Sequence, residues 1–146
     1  IITSGRYVND SMGFYIAKKT VKKILSQGKN IQDSKVLVMG ATFKEDVSDI
    51  RNSKVIDIVN ELNSFQVKVD LVDPHASSDE MQREYGVPLS TIGSDYDAVI
   101  VAVNHASYLE LEESYFQSIL KDKQGVFVDV KGIYKGKVNE LEYWSL

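Results

Sequence analysis

The sequence predicts an α/β domain built on an open parallel sheet flanked by helices, with one further helix in front of it. Three observations carry this. Four short apolar runs rich in β-branched residues fall at 35–40, 67–72, 98–103 and 125–130. The stretches between them have helical periodicity, and strands alternating with helices of this length are the pattern of βαβ units. The first and third runs hardly alternate between apolar and polar residues, as expected of strands covered on both faces.

Taken in order, Gly5–Gln27 reads as a helix. Phe14, Ala17, Val21, Ile24 and Leu25 fall on one apolar arc, and Lys18, Lys19, Lys22 and Lys23 form a solvated face. Gly28 is placed to stop it, with lysines in the last turns where the helix dipole favours them. The polar stretch 28–34 is the one candidate domain boundary. Lys35–Gly40 is the first strand. Ser53–Ser64 is an amphipathic helix with Val55, Ile58, Val59 and Leu62 inward. Gln66–Asp73 is a strand stopped by Pro74, and Ser78–Tyr85 is a polar helix ending at Gly86. A third strand, 97–103, leads into a helix expected over His105–Leu120, and Gly125–Val130 is the fourth strand. Beyond Gly132 there is little periodicity, and irregular structure is expected.

Composition narrows the function classes. The chain has 146 residues, 43% hydrophobic and 26% charged, which suits a folded domain with its own core. A net charge of -4 gives no basic field for nucleic acid. There is no cysteine, hence no disulfide, thiolate metal site or thiol nucleophile, and the two histidines, His75 and His105, make a His-rich zinc site improbable. No apolar run is long enough to span a membrane and no signal peptide is visible, so the expected setting is cytoplasmic, without membrane partners. The first residue is Ile1 rather than Met, as in a piece cut from a longer chain.

In an open parallel sheet a ligand sits beyond the carboxyl ends of the strands. The loop after the first strand, Gly40–Asn52, is long and lacks the second and third glycines of a G-x-G-x-x-G dinucleotide loop. It carries Lys44 and Arg51 near the start of the next helix, where cations add to the anion preference of a helix N-terminus. Two readings stay open from spacing alone: an anion site, or a surface network of these cations with Glu45, Asp46 and Asp49. Asp73 stands where a Rossmann domain places its ribose-binding acid, but Asp-Pro without the glycine loop favours a turn. His105 is a loop or helix-start residue, and His75 lies in the turn after Pro74.

The stretch Gly40-Ala-Thr-Phe-Lys-Glu-Asp-Val-Ser-Asp-Ile-Arg-Asn-Ser53 closely resembles the signature of the UDP-binding C-terminal domain of the UDP-glucose/GDP-mannose dehydrogenase family. Val72-Asp-Pro-His75 and the strand 97–103 are similar to further family segments, and Gly5–Asp10 with Met12-Gly13 resembles the close of its central helical domain. The Asp-Ile-Arg-Asn-Ser segment, the Gly5–Asp10 start and Val128–Gly132 are more similar to the UDP-N-acetylhexosamine branch than to the UDP-glucose branch. The resemblance implies a Rossmann-like fold, with 1–28 a remnant of the central dimerisation domain and 29–146 the UDP-sugar-binding domain. It implies a fragment of an NAD-dependent oxidoreductase, a homodimer when complete, that oxidises the C6 alcohol of a UDP-sugar to the uronic acid for polysaccharide biosynthesis. Phe43 and Lys44 would contact the UDP-sugar, Lys131 would stand where the UDP-glucose branch has a substrate-touching arginine, and Arg51 would reach NAD held mainly by another domain. The alternative is a stand-alone nucleotide-binding or regulatory module without catalysis. No catalytic residue and no metal ligand is expected in these 146 residues. Assayed alone with a UDP-sugar and NAD, the chain is therefore expected to form no NADH above background; measurable NADH formation would contradict this.

Overall fold

The computed structural model describes residues 4–42 and 44–146, for 4–11 as backbone alone. Helix α1 (Ser4–Ser26) leads through a 3-10 turn at Ile31–Asp33 into strand β1 (Lys35–Met39). There follow α2 (Val55–Ser64), β2 (Lys68–Val72), α3 (Ser78–Tyr85) and β3 (Ala98–Val101). A second 3-10 turn at Ala106–Glu110, then α4 (Glu113–Ile119), β4 (Val126–Asp129) and β5 (Glu142–Ser145) complete it. The five strands form one sheet in the order β2-β1-β3-β4-β5, and every pairing is parallel. The expected parallel sheet is present in all four runs.

The pleat explains the unbroken apolar runs. Val36, Val38, Ala98, Ile100, Val126 and Val128 face a core shared with α1, α2 and Met81 of α3. Leu37, Met39, Val99, Val101 and Phe127 face the opposite core, built with Tyr108, Phe116, Ile119 and Tyr134. Successive side chains point to opposite faces, so a strand buried on both must be apolar throughout. Val55, Ile58, Val59 and Leu62 are buried as the helical pattern predicts. Gly28 and Gly86 take φ of 78° and 70° and end α1 and α3 in the left-handed conformation.

Three sequence expectations need correction. The first concerns the face of α1. Ala17, Val21 and Ile24 are buried, but Phe14 and Leu25 are 40% and 51% exposed. The buried face runs instead through Gly13, Ile16, Ala17, Thr20, Val21 and Ile24. Its centre carries a glycine and a threonine, which hydrophobicity undervalues, while Phe14 and Leu25 stand about 100° and about 120° round the helix from Gly13. A Cβ on Gly13 would lie 2.6 Å from Asp57 Cβ, so the glycine lets α1 lie directly on α2. The propensity loss of a helical glycine, about 1 kcal/mol, is outweighed by burying Ile16, Val21 and Ile24 at about 1.5–3 kcal/mol each. Thr20 satisfies its hydroxyl on the Ile16 carbonyl at 2.9 Å. Of the lysines, Lys18 and Lys22 are exposed, whereas Lys23 pairs with Glu142 at 2.9 Å.

The second is the helix expected over His105–Leu120, which is broken at Leu111 and Glu112, both extended. In a continuous helix the Tyr108 carbonyl would accept from the Glu112 N–H. Here it accepts from Leu111 N–H at 3.1 Å and from the Tyr134 hydroxyl at 2.5 Å. The Glu113 carboxylate accepts the N–H groups of Asn139, Glu140 and Leu141 at 2.9, 2.8 and 3.1 Å, which fixes where α4 begins. The third is the tail after Gly132. It returns as β5 along β4, with Tyr143 stacked on Phe127 at 6.1 Å and Trp144 edge-on to Tyr15 at 5.9 Å. Four residues with one aromatic on each face give no apolar run to detect.

Gly40 follows β1 with φ 103°, and a Cβ there would lie 2.6 Å from Val103 Cβ. Gly40→Ala combines backbone strain with overpacking, and a loss of about 3 kcal/mol is expected. Gly28→Ala, with open space around its absent Cβ, carries only the left-handed strain, about 1 kcal/mol. Urea unfolding of both variants checks the order of the two effects.

Candidate functional site

The chain leaves β1 for β2 on one side and later returns to β3 on the other, so the switch point lies between β1 and β3. A crevice opens there beyond the carboxyl ends of the strands, where open α/β sheets place ligands. A pocket of about 310 Å³ occupies it, walled by Ile16 of α1, by Val55 and Ile58 of α2 and by Val103 after β3. Lys44 from the loop after β1 and Lys131 from the loop after β4 both line it. Thus two of the residues singled out in the sequence meet across one pocket, although 87 positions separate them.

Lys44 is exposed and makes no ion pair among the described residues. Lys131 is likewise exposed. The turn carrying Lys131 hangs on the buried Asp129 carboxylate, which accepts Ile133 N–H at 3.1 Å, Tyr134 N–H at 2.8 Å and the Tyr143 hydroxyl at 2.5 Å. Arg51 is elsewhere. It lines a separate surface depression with Ile50, Glu80, Arg83 and Glu84. Asp49 holds it in a bidentate pair, Nε to Oδ1 at 3.0 Å and a terminal guanidinium nitrogen to Oδ2 at 3.1 Å. That hydrogen-bonded pair lowers the Asp49 pKa and raises that of Arg51. The surface-network reading therefore describes Arg51 and Asp49, whereas Lys44 attracts the Asp49 carboxylate only through space and lines the pocket. Phe43 lies outside the described residues.

The loop is anchored by residues that spacing did not assign. Asp73, just past β2, accepts His75 N–H and Ala76 N–H on Oδ1 at 2.7 and 3.0 Å, the turn its Asp-Pro sequence favours. Its Oδ2 accepts Ala41 N–H at 2.6 Å and the Nε2 of His105 at 2.8 Å. Burial pushes the Asp73 carboxyl up, but the hydrogen bonds from Ala41, His105 and His75 outweigh it and hold the pKa below the ordinary value. With both oxygens occupied this way, Asp73 is a structural acid rather than a ribose ligand. His105 is fully buried, and its Nδ1 accepts Asp46 N–H at 2.9 Å. An ionised Asp73 only accepts, so Nε2 carries the proton and the ring is the neutral Nε2–H tautomer.

This network has the outline of two other sites and the chemistry of neither. Carboxylate and imidazole are paired as in a general-base dyad, but the second ring nitrogen is engaged by a backbone N–H instead of facing a substrate. Asp46, His75 and His105 also place one possible metal ligand each within 4.8 Å of one another. The Nδ1 lone pair that would bind a cation is the one accepting Asp46 N–H. At Gly40, the space a Cβ would fill is taken by Val103, so the turn after β1 fits the neighbouring strand rather than a dinucleotide pyrophosphate.

An open parallel sheet of Rossmann type, with a lysine-lined crevice at its switch point, defines a domain for an anionic, nucleotide-like ligand. The model of the UDP-glucose/GDP-mannose dehydrogenase family, UDP binding domain, matches residues 37–136, and the chain belongs to that family. It is 39% identical over 143 residues to the UDP-N-acetyl-D-glucosamine 6-dehydrogenase of Salmonella typhi, covering 97% of this chain and 33% of that protein. It is 38% identical over 135 residues to Protein CapL of Staphylococcus aureus, covering 91% and 31%. Among solved structures, the native UDP-N-acetyl-mannosamine dehydrogenase Cap5O from Staphylococcus aureus superposes with a TM-score of 0.74 at 29% identity, over 97% of this chain and 32% of that one. The NDP-N-acetyl-D-galactosaminuronic acid dehydrogenase from Methanosarcina mazei Go1 has a TM-score of 0.82 at 23% identity, over 96% and 30%, a likeness of fold. The chain spans about a third of the length of the curated relatives it matches. No described helix is long and apolar enough to cross a membrane.

The lowered Asp73 pKa fixes a pH dependence. A carboxylate with a depressed folded value contributes stability in full above its unfolded value, near 3.8, and loses it as pH falls through the folded value. Asp73→Asn is expected to be destabilised by about 1–3 kcal/mol at pH 7. It should then lose less further stability than the parent on acidification. Urea melts from neutral pH downward measure both; an unchanged acid limb would refute the assignment.

Proposed function

We propose that this chain is the C-terminal, nucleotide-binding part of an NAD-dependent UDP-N-acetylhexosamine 6-dehydrogenase. The observation that carries the reading is the convergence of Lys44 and Lys131 on one pocket at the switch point. Lys44 and Lys131, with Lys54 also in the lining against the side-chain carboxylate of Glu45, give the pocket the excess of positive charge that a UDP pyrophosphate needs, and the aliphatic wall suits the less polar parts of a nucleotide sugar. Phe43, next to Lys44 in sequence, is assigned to the same ligand. Lys131 acts as a point charge, since it has no guanidinium fork for bidentate contact.

In this reading residues 1–28 close a central helical dimerisation domain and 29–146 form the UDP-sugar domain. The complete protein is a cytoplasmic homodimer without nucleic-acid or membrane partners, and NAD and the thiol nucleophile belong to parts outside these residues. Arg51, exposed and paired with Asp49, lines a depression separate from the pocket and is assigned as the contact to NAD across a cleft. The domain then works by holding the nucleotide so that the sugar C6 meets the hydride acceptor, and by helping to exclude water.

Steady-state kinetics and UDP titration of the complete protein test this. Lys44→Ala removes a charge-assisted contact of about 1.5–3 kcal/mol and is expected to weaken UDP-sugar binding by one to two decades, with the KM for NAD little changed. Arg51→Ala is expected to raise the KM for NAD about tenfold and leave UDP affinity intact. Equal loss toward one ligand in both variants would overturn the division of roles.

A further inference from the structure

His105 takes no part in the contacts proposed above, yet it is the fully buried ring on which the Lys44 loop rests. Its Nδ1 accepts Asp46 N–H at 2.9 Å, two residues beyond Lys44. The Asp46 carboxylate in turn accepts Ala106 N–H at 2.8 Å, next to the histidine. On the other side of Lys44, Thr42 Oγ1 lies 3.4 Å from His105 Nε2 and donates its own proton to the Lys44 carbonyl at 2.8 Å. Having used that proton, the hydroxyl can meet the ring only as an acceptor, so the Nε2–H is shared between Asp73 and Thr42. Lys44 is thus bracketed at positions 42 and 46 by one ring. Asp46 has φ 58°, a left-handed conformation that Asp adopts more readily than most residues.

We propose that His105 is a positioning residue for nucleotide binding: by holding the Thr42 hydroxyl and the Asp46 N–H it presents Lys44 to the pocket. This rests on the reading of that pocket as the UDP site. The ring acts through the loop and touches no ligand. Its two bonds can be separated. In His105→Asn the side-chain oxygen reaches the Nδ1 position and keeps the acceptor for Asp46 N–H. In His105→Gln the amide reaches the Nε2 position, keeps the donor to Asp73 and Thr42, and loses the acceptor for Asp46 N–H.

The test is a double-mutant cycle on UDP affinity, read by calorimetry on the complete protein with Lys44→Ala as the second site. His105→Gln is expected to weaken UDP about tenfold, and His105→Asn by less than about threefold. In the Lys44→Ala background the His105→Gln loss should vanish, because its effect runs through the lysine. A general loosening of the fold would instead give the same loss in both backgrounds, and that result overturns the proposal. So does wild-type affinity in His105→Gln when Lys44→Ala is weakened. If Lys44→Ala itself binds UDP normally, the site reading falls, and this proposal with it. Should the histidine variants not fold, Thr42→Val removes the hydroxyl bond to the Lys44 carbonyl. It must weaken UDP in the parent background and not in Lys44→Ala, or the proposal fails.

Discussion

The Asp73 carboxylate joins three separate pieces of chain at the ligand end of the sheet. Through Oδ1 it shapes its own turn after β2, and through Oδ2 it holds Ala41 after β1 and His105 after β3. A carboxylate shielded from solvent is tolerable only when its lone pairs are filled by donors, and here four are supplied. Each bond is charge-assisted, and together they close the β2-β1-β3 edge above the switch point. Without them the loop after β1 would have to be ordered by its own turns. Its own side-chain turns are Thr42 on the Lys44 carbonyl and Asp49 accepting Arg51 N–H.

Close approach is the second constraint, and it serves packing rather than phosphate. Gly40 brings the chain against Val103, and Gly13 brings α1 against α2. A dinucleotide fingerprint uses its glycines to bring backbone to a pyrophosphate. Here the backbone approaches other backbone and side chains, and the charged groups lining the crevice are the side chains of Lys44, Glu45, Lys54 and Lys131.

What the sequence made legible follows from the period of burial. Strands buried on both faces write unbroken apolar runs, and α2 writes a clean apolar stripe, so the first four strands and the α2 crossover could be read directly. Elements stabilised by particular side-chain bonds could not. The break at Leu111 depends on the Tyr134 hydroxyl taking the Tyr108 carbonyl, 26 residues away. Strand β5 depends on Tyr143 meeting Phe127 and Asp129. The buried side of α1 is centred on Gly13 and Thr20, residues that carry no hydrophobic signal. At the site, the motif singled out Lys44 and Lys131, which line one pocket, while His105 was read as a loop or helix-start residue. Its signal lies in which atoms it joins, and no spacing in one chain records that.

The site's own chemistry decides how its affinity can be built. Both lysines are exposed in an open crevice, so water and salt screen each ammonium and its attraction for phosphate is modest. A pocket of about 310 Å³ is at the small end for a ligand site and encloses only part of a nucleotide sugar. Two routes then remain to strengthen binding. One is to complete the enclosure with another domain, which removes solvent and raises every charge interaction inside. The other is to reduce the ordering cost of the cations before the ligand arrives. In the proposed reading, the Asp73–His105–Asp46 chain acts on the second by fixing the backbone beside Lys44. Asp129 does the same beneath Lys131 through the turn at 130–134. Two buried carboxylates of like sign, placed under the two cation-bearing loops, thus hold positive charge at the mouth of a domain whose net charge is negative.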